Sequence, residues 1–300
     1  MSLSKEEALL FLREVLQVPY SLLFEIQPSL PFLNGIIKSY QNAVPWQSVT
    51  SWAVPNSQRH LPSWEEIKKR QFAKEGGMCY ENNMFMKELL NALNFDVCYI
   101  PCQFWDPDDH LSVMVRGLTG RSSRHWVDVG NSCPLFQAIS FDFDTDSIEC
   151  DVGFLRHRFV KSKDCIEWQH SRIFPPLDDC NHTKEGKWFT IAKIMVDTPC
   201  DVDHFKYRMT IRYTMLEQIA FFHKIRAVVF EKNKFISMKG MQLVLETKDN
   251  TVEGKSMKNT EEVVEAYRVY FPQIPTGILQ DALKNNSKTM TESKHSHKQY

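Results

Sequence analysis

The sequence predicts an α+β fold: helices first, then a run of short strands, then a mixed C-terminal part. Three observations carry this. Capping boxes and apolar residues at helical spacing fill the first third. From Phe95 onward, short runs rich in β-branched and aromatic residues alternate with turn residues. After Asp201, helical and strand patterns interleave.

Ser4-Lys5-Glu6-Glu7 is a capping box, and Leu9, Leu12, Val15 and Leu16 then share one helix face. Residues 30–40 predict a second helix, and 45–62 read as a loop. Ser63-Trp64-Glu65-Glu66 is another capping box, opening a helix expected to stop at Gly76-Gly77. The next helix runs from near Cys79 to Leu93 and buries Phe85, Leu89, Leu90 and Leu93. Asn94 can take the left-handed conformation that ends it. Strands are expected over 95–102, 111–116 and 124–129, with a hairpin turn over 117–120, and then over 153–161, 165–173 and 188–196. Regular short strands suggest a barrel or sandwich. Asp201 is expected to cap a helix through Met209. Strands over 225–231, 234–238 and 242–247 follow. A final helix over 260–271 is ended by Pro272 and Pro275. From Lys284 to Tyr300 the chain is polar and is expected to be disordered; His295-Ser296-His297 reads as solvated tail. No internal repeat is present.

Three hundred residues with 43% hydrophobic content allow one large domain or a few packed subdomains. The charge nearly cancels, 36 basic residues against 37 acidic, which argues against nucleic acid or an anionic membrane as the main partner. A phosphate-bearing coenzyme needs only a local basic patch. The first residues lack the basic and apolar regions of a signal peptide, and no apolar run approaches the ~20 residues of a membrane span. A cytoplasmic protein with reduced thiols is the expectation, so the sequons at Asn181 and Asn285 carry no glycan. Cys98 and Cys102 are four apart and Cys180 and His182 two apart, neither a zinc spacing, so no metal is expected.

The segment with chemical character is Gly76-Gly77-Met78-Cys79-Tyr80-Glu81-Asn82-Asn83. Most cysteines are small buried hydrophobes. Cys79 differs because it opens a helix, where the macrodipole favours the nucleophilic thiolate. Two glycines before it strip side chains from the approach. His110 and Asp128 lie downstream in strand-like segments. Cysteine, histidine and carboxylate supply attacker, base and orienter. The adjacent Asp108 and Asp109 are expected to raise the His110 pKa. His125 is a rival base, but alternation turns it outward if Trp126 and Asp128 point inward. Asp128 sits between Val127 and Val129, so it is expected to be buried and to need a partner. Glu81 reads as serving the helix start.

Gly76-Gly77-x-Cys79-x-Glu81-x-Asn83 resembles the arylamine N-acetyltransferase signature Arg-Gly-Gly-x-Cys-x-Glu/Gln-x-Asn. Leu93-Asn94-Phe95-Asp96-Val97, the His110 strand, Trp126-Val127-Asp128-Val129-Gly130, Ala43-Val44-Pro45-Trp46 and Asn259-Thr260-Glu261-Glu262-Val263 extend the resemblance over residues 35–275. It implies a helical bundle (1–94), a β-barrel (95–198) and an α/β lid (199–283), with a cysteine-protease-like core and a disordered tail (284–300). It also implies an enzyme that moves acetyl from acetyl-CoA to an arylamine, hydrazine or arylhydroxylamine through an acetyl-Cys79 intermediate; nothing in the sequence points to an obligate oligomer, so a monomer is expected. Cys79, His110 and Asp128 would be catalytic, and the Cys79 N–H an oxyanion donor. A cysteine hydrolase or transglutaminase-like enzyme, or a non-catalytic relative, uses the same residue types.

This chain departs from the pattern at Glu75, where the family has arginine. A carboxylate there disfavours thiolate if it approaches the sulfur, and Lys74 and Arg70 are the cations able to substitute. The family's Phe-Glu-Asn becomes Trp46-Gln47-Ser48, Asn131 and Ser132 follow Gly130, and the Cys79–His110 spacing is short.

Overall fold

The computed structural model describes residues 2–23, 26–171, 184–185 and 188–286. The capping box forms as read: the Glu7 N–H donates to Ser4 Oγ at 3.2 Å, and the Ser4 N–H to Glu7 Oε2 at 3.0 Å. Helix α1 (Lys5–Leu10) then widens into a π-helical turn over Phe11–Val15 that buries Phe11, Leu12 and Val15. Helices α2 (Tyr20–Leu23) and α3 (Leu30–Ala43) follow, the latter capped by Ser29.

The stretch 45–62 is more ordered than expected. It holds strand β1 (Trp46–Gln47), helix α4 (Val49–Ala53) and a 3-10 turn over Asn56–Gln58. The Gln47 side chain organises it, accepting the Thr50 N–H at 3.0 Å and donating to the Glu75 carbonyl at 3.2 Å. Helix α5 (Trp64–Phe72) stops short of the two glycines, because Lys74 itself adopts the left-handed turn at φ 61°. Helix α6 (Cys79–Ala92) ends as read, with Asn94 at φ 65°.

The central strands are β2 (Asp96–Gln103), β3 (His110–Arg116), β4 (Arg124–Val127), β5 (Ile139–Ser140), β6 (Ser147–Val152), β7 (Leu155–Lys161), β8 (Ile166–His170), β9 (Lys184–Glu185) and β10 (Trp188–Ile194). They form one antiparallel sheet in the order β5-β4-β3-β2-β10-β8-β7-β6, with β9 beside β10. The sheet curls. Trp126 on β4 lies 5.4 Å from Trp168 on β8 and 5.9 Å from Phe159 on β7, although three strands separate β4 from β8 in the ladder. Strand β6 goes beyond the expected set: Ile148, Cys150 and Val152 alternate with Ser147, Glu149 and Asp151, and the strand lies part-exposed at the sheet edge.

Helix α7 spans Asp203–Thr214, starting later and running longer than expected, with Phe205, Met209 and Tyr213 buried. Strands β11 (Arg226–Glu231), β12 (Lys234–Lys239), β13 (Gln242–Glu246) and β14 (Val252–Ser256) follow, then α8 (Thr260–Tyr270) and α9 (Thr276–Asn285). Strand β1 completes this second sheet, pairing Trp46 with Val228 and Gln47 with Ala227. Helix α9 corrects the expected disorder at residues 284–286. Pro275 ends the approach from α8 and caps α9, and Asn285 donates to the carbonyls of Trp52 and Ala53 at 3.1 and 2.9 Å. The rest of the expected tail, 287–300, and the Asn181 sequon lie outside the described residues. Among the described residues no helix is long and apolar enough to cross a membrane.

Candidate active site

Cys79 is the first residue of α6. The two glycines before it are there for packing rather than for an open approach. Gly76 sits at φ 68°, and a Cβ on it would lie 1.9 Å from the Pro45 carbonyl oxygen. A Cβ on Gly77 would lie 2.4 Å from the Glu81 carboxylate. Gly130 presses on the same turn, where a Cβ would come within 2.8 Å of the Cys79 backbone.

Glu81 does more than serve the helix start. Fully buried, its carboxylate accepts the Met78 N–H at 3.1 Å, Arg70 Nη1 at 2.6 Å and the Tyr213 hydroxyl at 2.9 Å. Of the two candidate substitutes for the motif arginine, Arg70 on α5 is the one that meets this network. Glu75 is half-buried. Burial raises its pKa and outweighs the lowering by Arg70 and Lys69; Glu81 raises it further.

His110 opens β3 and Asp128 follows β4, and the sheet brings them together: His110 Nε2 lies 2.8 Å from Asp128 Oδ2. The other Asp128 oxygen accepts Asn83 Nδ2 at 2.8 Å and the Gly130 N–H at 2.9 Å. Asn83, one turn after Cys79, also donates to the Leu111 carbonyl at 2.7 Å and accepts the Val129 N–H at 2.9 Å. One amide thus locks α6 to both strands. The sequence displayed Asn83 in its motif but gave no clue to this role, which depends on the strands packing across the helix.

With Nε2 on Asp128, the imidazole has Nδ1 left for the thiol. Burial pulls the His110 pKa down, but the charge and hydrogen bond of Asp128 raise it more, and Cys79 adds to both effects, so the net shift is upward. Asp108 and Asp109 are not the cause. Asp108 faces His204 at 3.1 Å, and Asp109 accepts the N–H groups of Phe104, Trp105 and Asp106 at 2.8, 3.0 and 3.1 Å. Its fourth donor is Arg212 on α7, at 2.6 Å. His125 does not line the cleft, yet it is 1% exposed rather than solvated, because both faces of β4 are covered.

Cys79 and His110 open into a cleft walled by Trp46, Phe104, Trp105, Phe221 and Phe222. The Phe104 ring lies 4.6 Å from the His110 ring, and Trp105 lies 4.9 Å from Phe221. Such walls suit a flat apolar ligand. Among the described residues no group of His, Cys, Asp and Glu is disposed to hold a metal.

A family model described as N-acetyltransferase matches residues 29–274. The chain belongs to the arylamine N-acetyltransferase family. No curated protein matches it in sequence. The arylamine N-acetyltransferase of Mycobacterium marinum superposes with a TM-score of 0.73 at 14% identity, covering 93% of this chain and 98% of that one. The same enzyme in complex with CoA gives 0.72 at 15%, with the same coverage. The Salmonella typhimurium arylamine N-acetyltransferase gives 0.72 at 12%, covering 95% and 99%. At these identities the likeness establishes the fold: an arylamine N-acetyltransferase architecture of N-terminal helices and a curled sheet.

Proposed function

We propose that this N-acetyltransferase carries acetyl from acetyl-CoA to an arylamine, hydrazine or arylhydroxylamine by a ping-pong route, with Cys79, His110 and Asp128 as its catalytic residues. One observation carries the reading: the 2.8 Å His110–Asp128 bond lies against a cysteine that opens a helix. The imidazolium and the helix start favour the thiolate. That thiolate attacks the thioester carbonyl. The C–S bond to coenzyme A breaks, the protonated His110 gives its proton to the departing sulfur so that coenzyme A leaves as the thiol, and Cys79 keeps the acetyl. The Cys79 N–H, which has no intrahelical partner, donates to the oxyanion. The amine nitrogen then attacks the acetyl carbon, His110 takes its proton, and the Cys79 sulfur departs. The aromatic walls of the cleft support an aryl acceptor, and the family's CoA-bound member supports the donor.

The test is mass spectrometry of the intact protein after incubation with acetyl-CoA. One acetyl group on Cys79, discharged on adding an arylamine, is the expected result. An acetyl group lost equally fast to water without amine would make the protein a hydrolase, and no acetylation would make it a non-catalytic relative.

A further inference from the structure

The geometry points to Arg212 and Tyr213, adjacent residues of α7, as positioning residues that hold the Cys79 helix and the His110 strand at their working separation. Neither belongs to a sequence motif, and both are buried, at 8% and 3% exposure. Successive side chains on a helix point about 100° apart, so two neighbours reach two different elements. Here those elements are the two halves of the candidate site. Arg212 reaches Asp109, the residue before His110, and Asp109 also gathers three backbone N–H groups of the loop that enters β3. Tyr213 reaches Glu81, which holds the Met78 N–H one residue before Cys79. A single peptide unit therefore bridges the nucleophile's turn and the base's turn. His204, at the other end of α7, ties the helix to the same loop through Asp108. Each tie alone has a plain packing purpose. What makes them one device is where they land.

The inference rests on the reading of Cys79 and His110 as nucleophile and base. It is tested by a measurement that needs neither acetyl-CoA nor an acceptor: the rate of iodoacetamide alkylation of Cys79 against pH. Tyr213→Phe keeps the ring and removes one hydrogen bond. Arg212→Lys keeps the charge and loses the planar fork. Both are expected to remain folded by circular dichroism, to move the midpoint of the alkylation profile upward by roughly one pH unit, and to slow acetylation ~10-fold as the two groups lose alignment. Tyr207→Ala, at a solvent-facing position of α7 (74% exposed), is expected to change neither. Folded Tyr213→Phe and Arg212→Lys proteins with the wild-type alkylation profile would overturn the inference whatever their activity, since packing alone would then explain the contacts. A wild-type thiol that reacts only at ordinary alkaline pH would overturn the nucleophile reading itself, and the inference with it.

Discussion

At the residue scale, the candidate site depends on donors as much as on its three reactive groups. Asp128 uses both oxygens, one toward His110 and one toward Asn83 and Gly130. Asp128→Asn would set an amide N–H₂ against those donors. The expected outcome in a steady-state acetylation assay is a loss of ~10³–10⁴ in rate. Chemical denaturation is expected to show ~1–3 kcal/mol less stability from the mismatched donors. Cys79→Ala is expected to abolish turnover and leave the fold intact. Glu75→Arg is expected to leave the alkylation profile of Cys79 unchanged, since Arg70 already supplies the cation at Glu81. Arg70→Met is the damaging change. It strands a fully buried carboxylate, and urea unfolding should register a loss of ~3–5 kcal/mol. Cys79, His110 and Asp128 were legible because each residue type has few uses at such positions. Arg70 was one of two candidate cations, and only the packing chose it over Lys74; Tyr213 and Arg212 were not legible, because a buried side chain and an exposed one look alike in a sequence until the packing is known.

At the element scale, the helices and central strands were legible from caps and periodicity, and the misses share a cause. Strands β1, β6 and β14 are short or lie at sheet edges, where their partners decide the outcome. Helix α9 was hidden by the prolines before it, although Leu279, Ala282 and Leu283 form its buried face. Deleting residues 276–300 would uncover that contact with α4, and thermal unfolding is expected to show a loss of roughly 3–5 kcal/mol. The curled sheet supplies a pH prediction. His157 on β7 accepts the Trp168 indole N–H at 3.0 Å, so its Nδ1 must stay unprotonated. Burial first, and the charge of His170 second, lower its pKa to about 3. Its unfolded value lies near 6.5, so this contribution to stability is complete above that pH and falls away as pH drops toward 3, at ~1.4 kcal/mol per pH unit. His110, raised instead to about 10, has the opposite sign: its contribution is fully present well below 6.5 and is lost as pH rises from there toward 10, equally in wild type and in a His157 variant. Unfolding measured between pH 5 and 6.5 is expected to show a shallower pH slope in His157→Gln than in the wild type.

At the scale of the whole molecule, the order of helices, strands and mixed segment was readable, but the way they interlock was not. The sequence divides neatly into consecutive parts. In the structure, β1 leaves the helical region to edge the sheet of β11–β14, α9 returns to α4, and α7 grips both the Cys79 helix and the His110 loop. The cleft is consequently built from every part of the chain. Truncation at an apparent boundary is expected to cost the site as well as the missing segment: a protein ending near residue 198 should fail to acetylate Cys79 in the mass-spectrometric assay, lacking the α7 contacts and the Phe221–Phe222 wall.

The pairing of β1 with β11 also sets an order on synthesis. Ser48 Oγ accepts the Arg226 N–H across 178 residues of chain. On the ribosome, the Trp46 strand must wait with an unpaired edge while the whole curled sheet is made. Closure of that long loop comes late and is entropically slow. The nascent protein therefore carries the unpaired Trp46–Gln47 edge until β11 is made, so chaperone demand and aggregation losses during expression should respond to substitutions near Trp46 that leave the finished enzyme's stability unchanged.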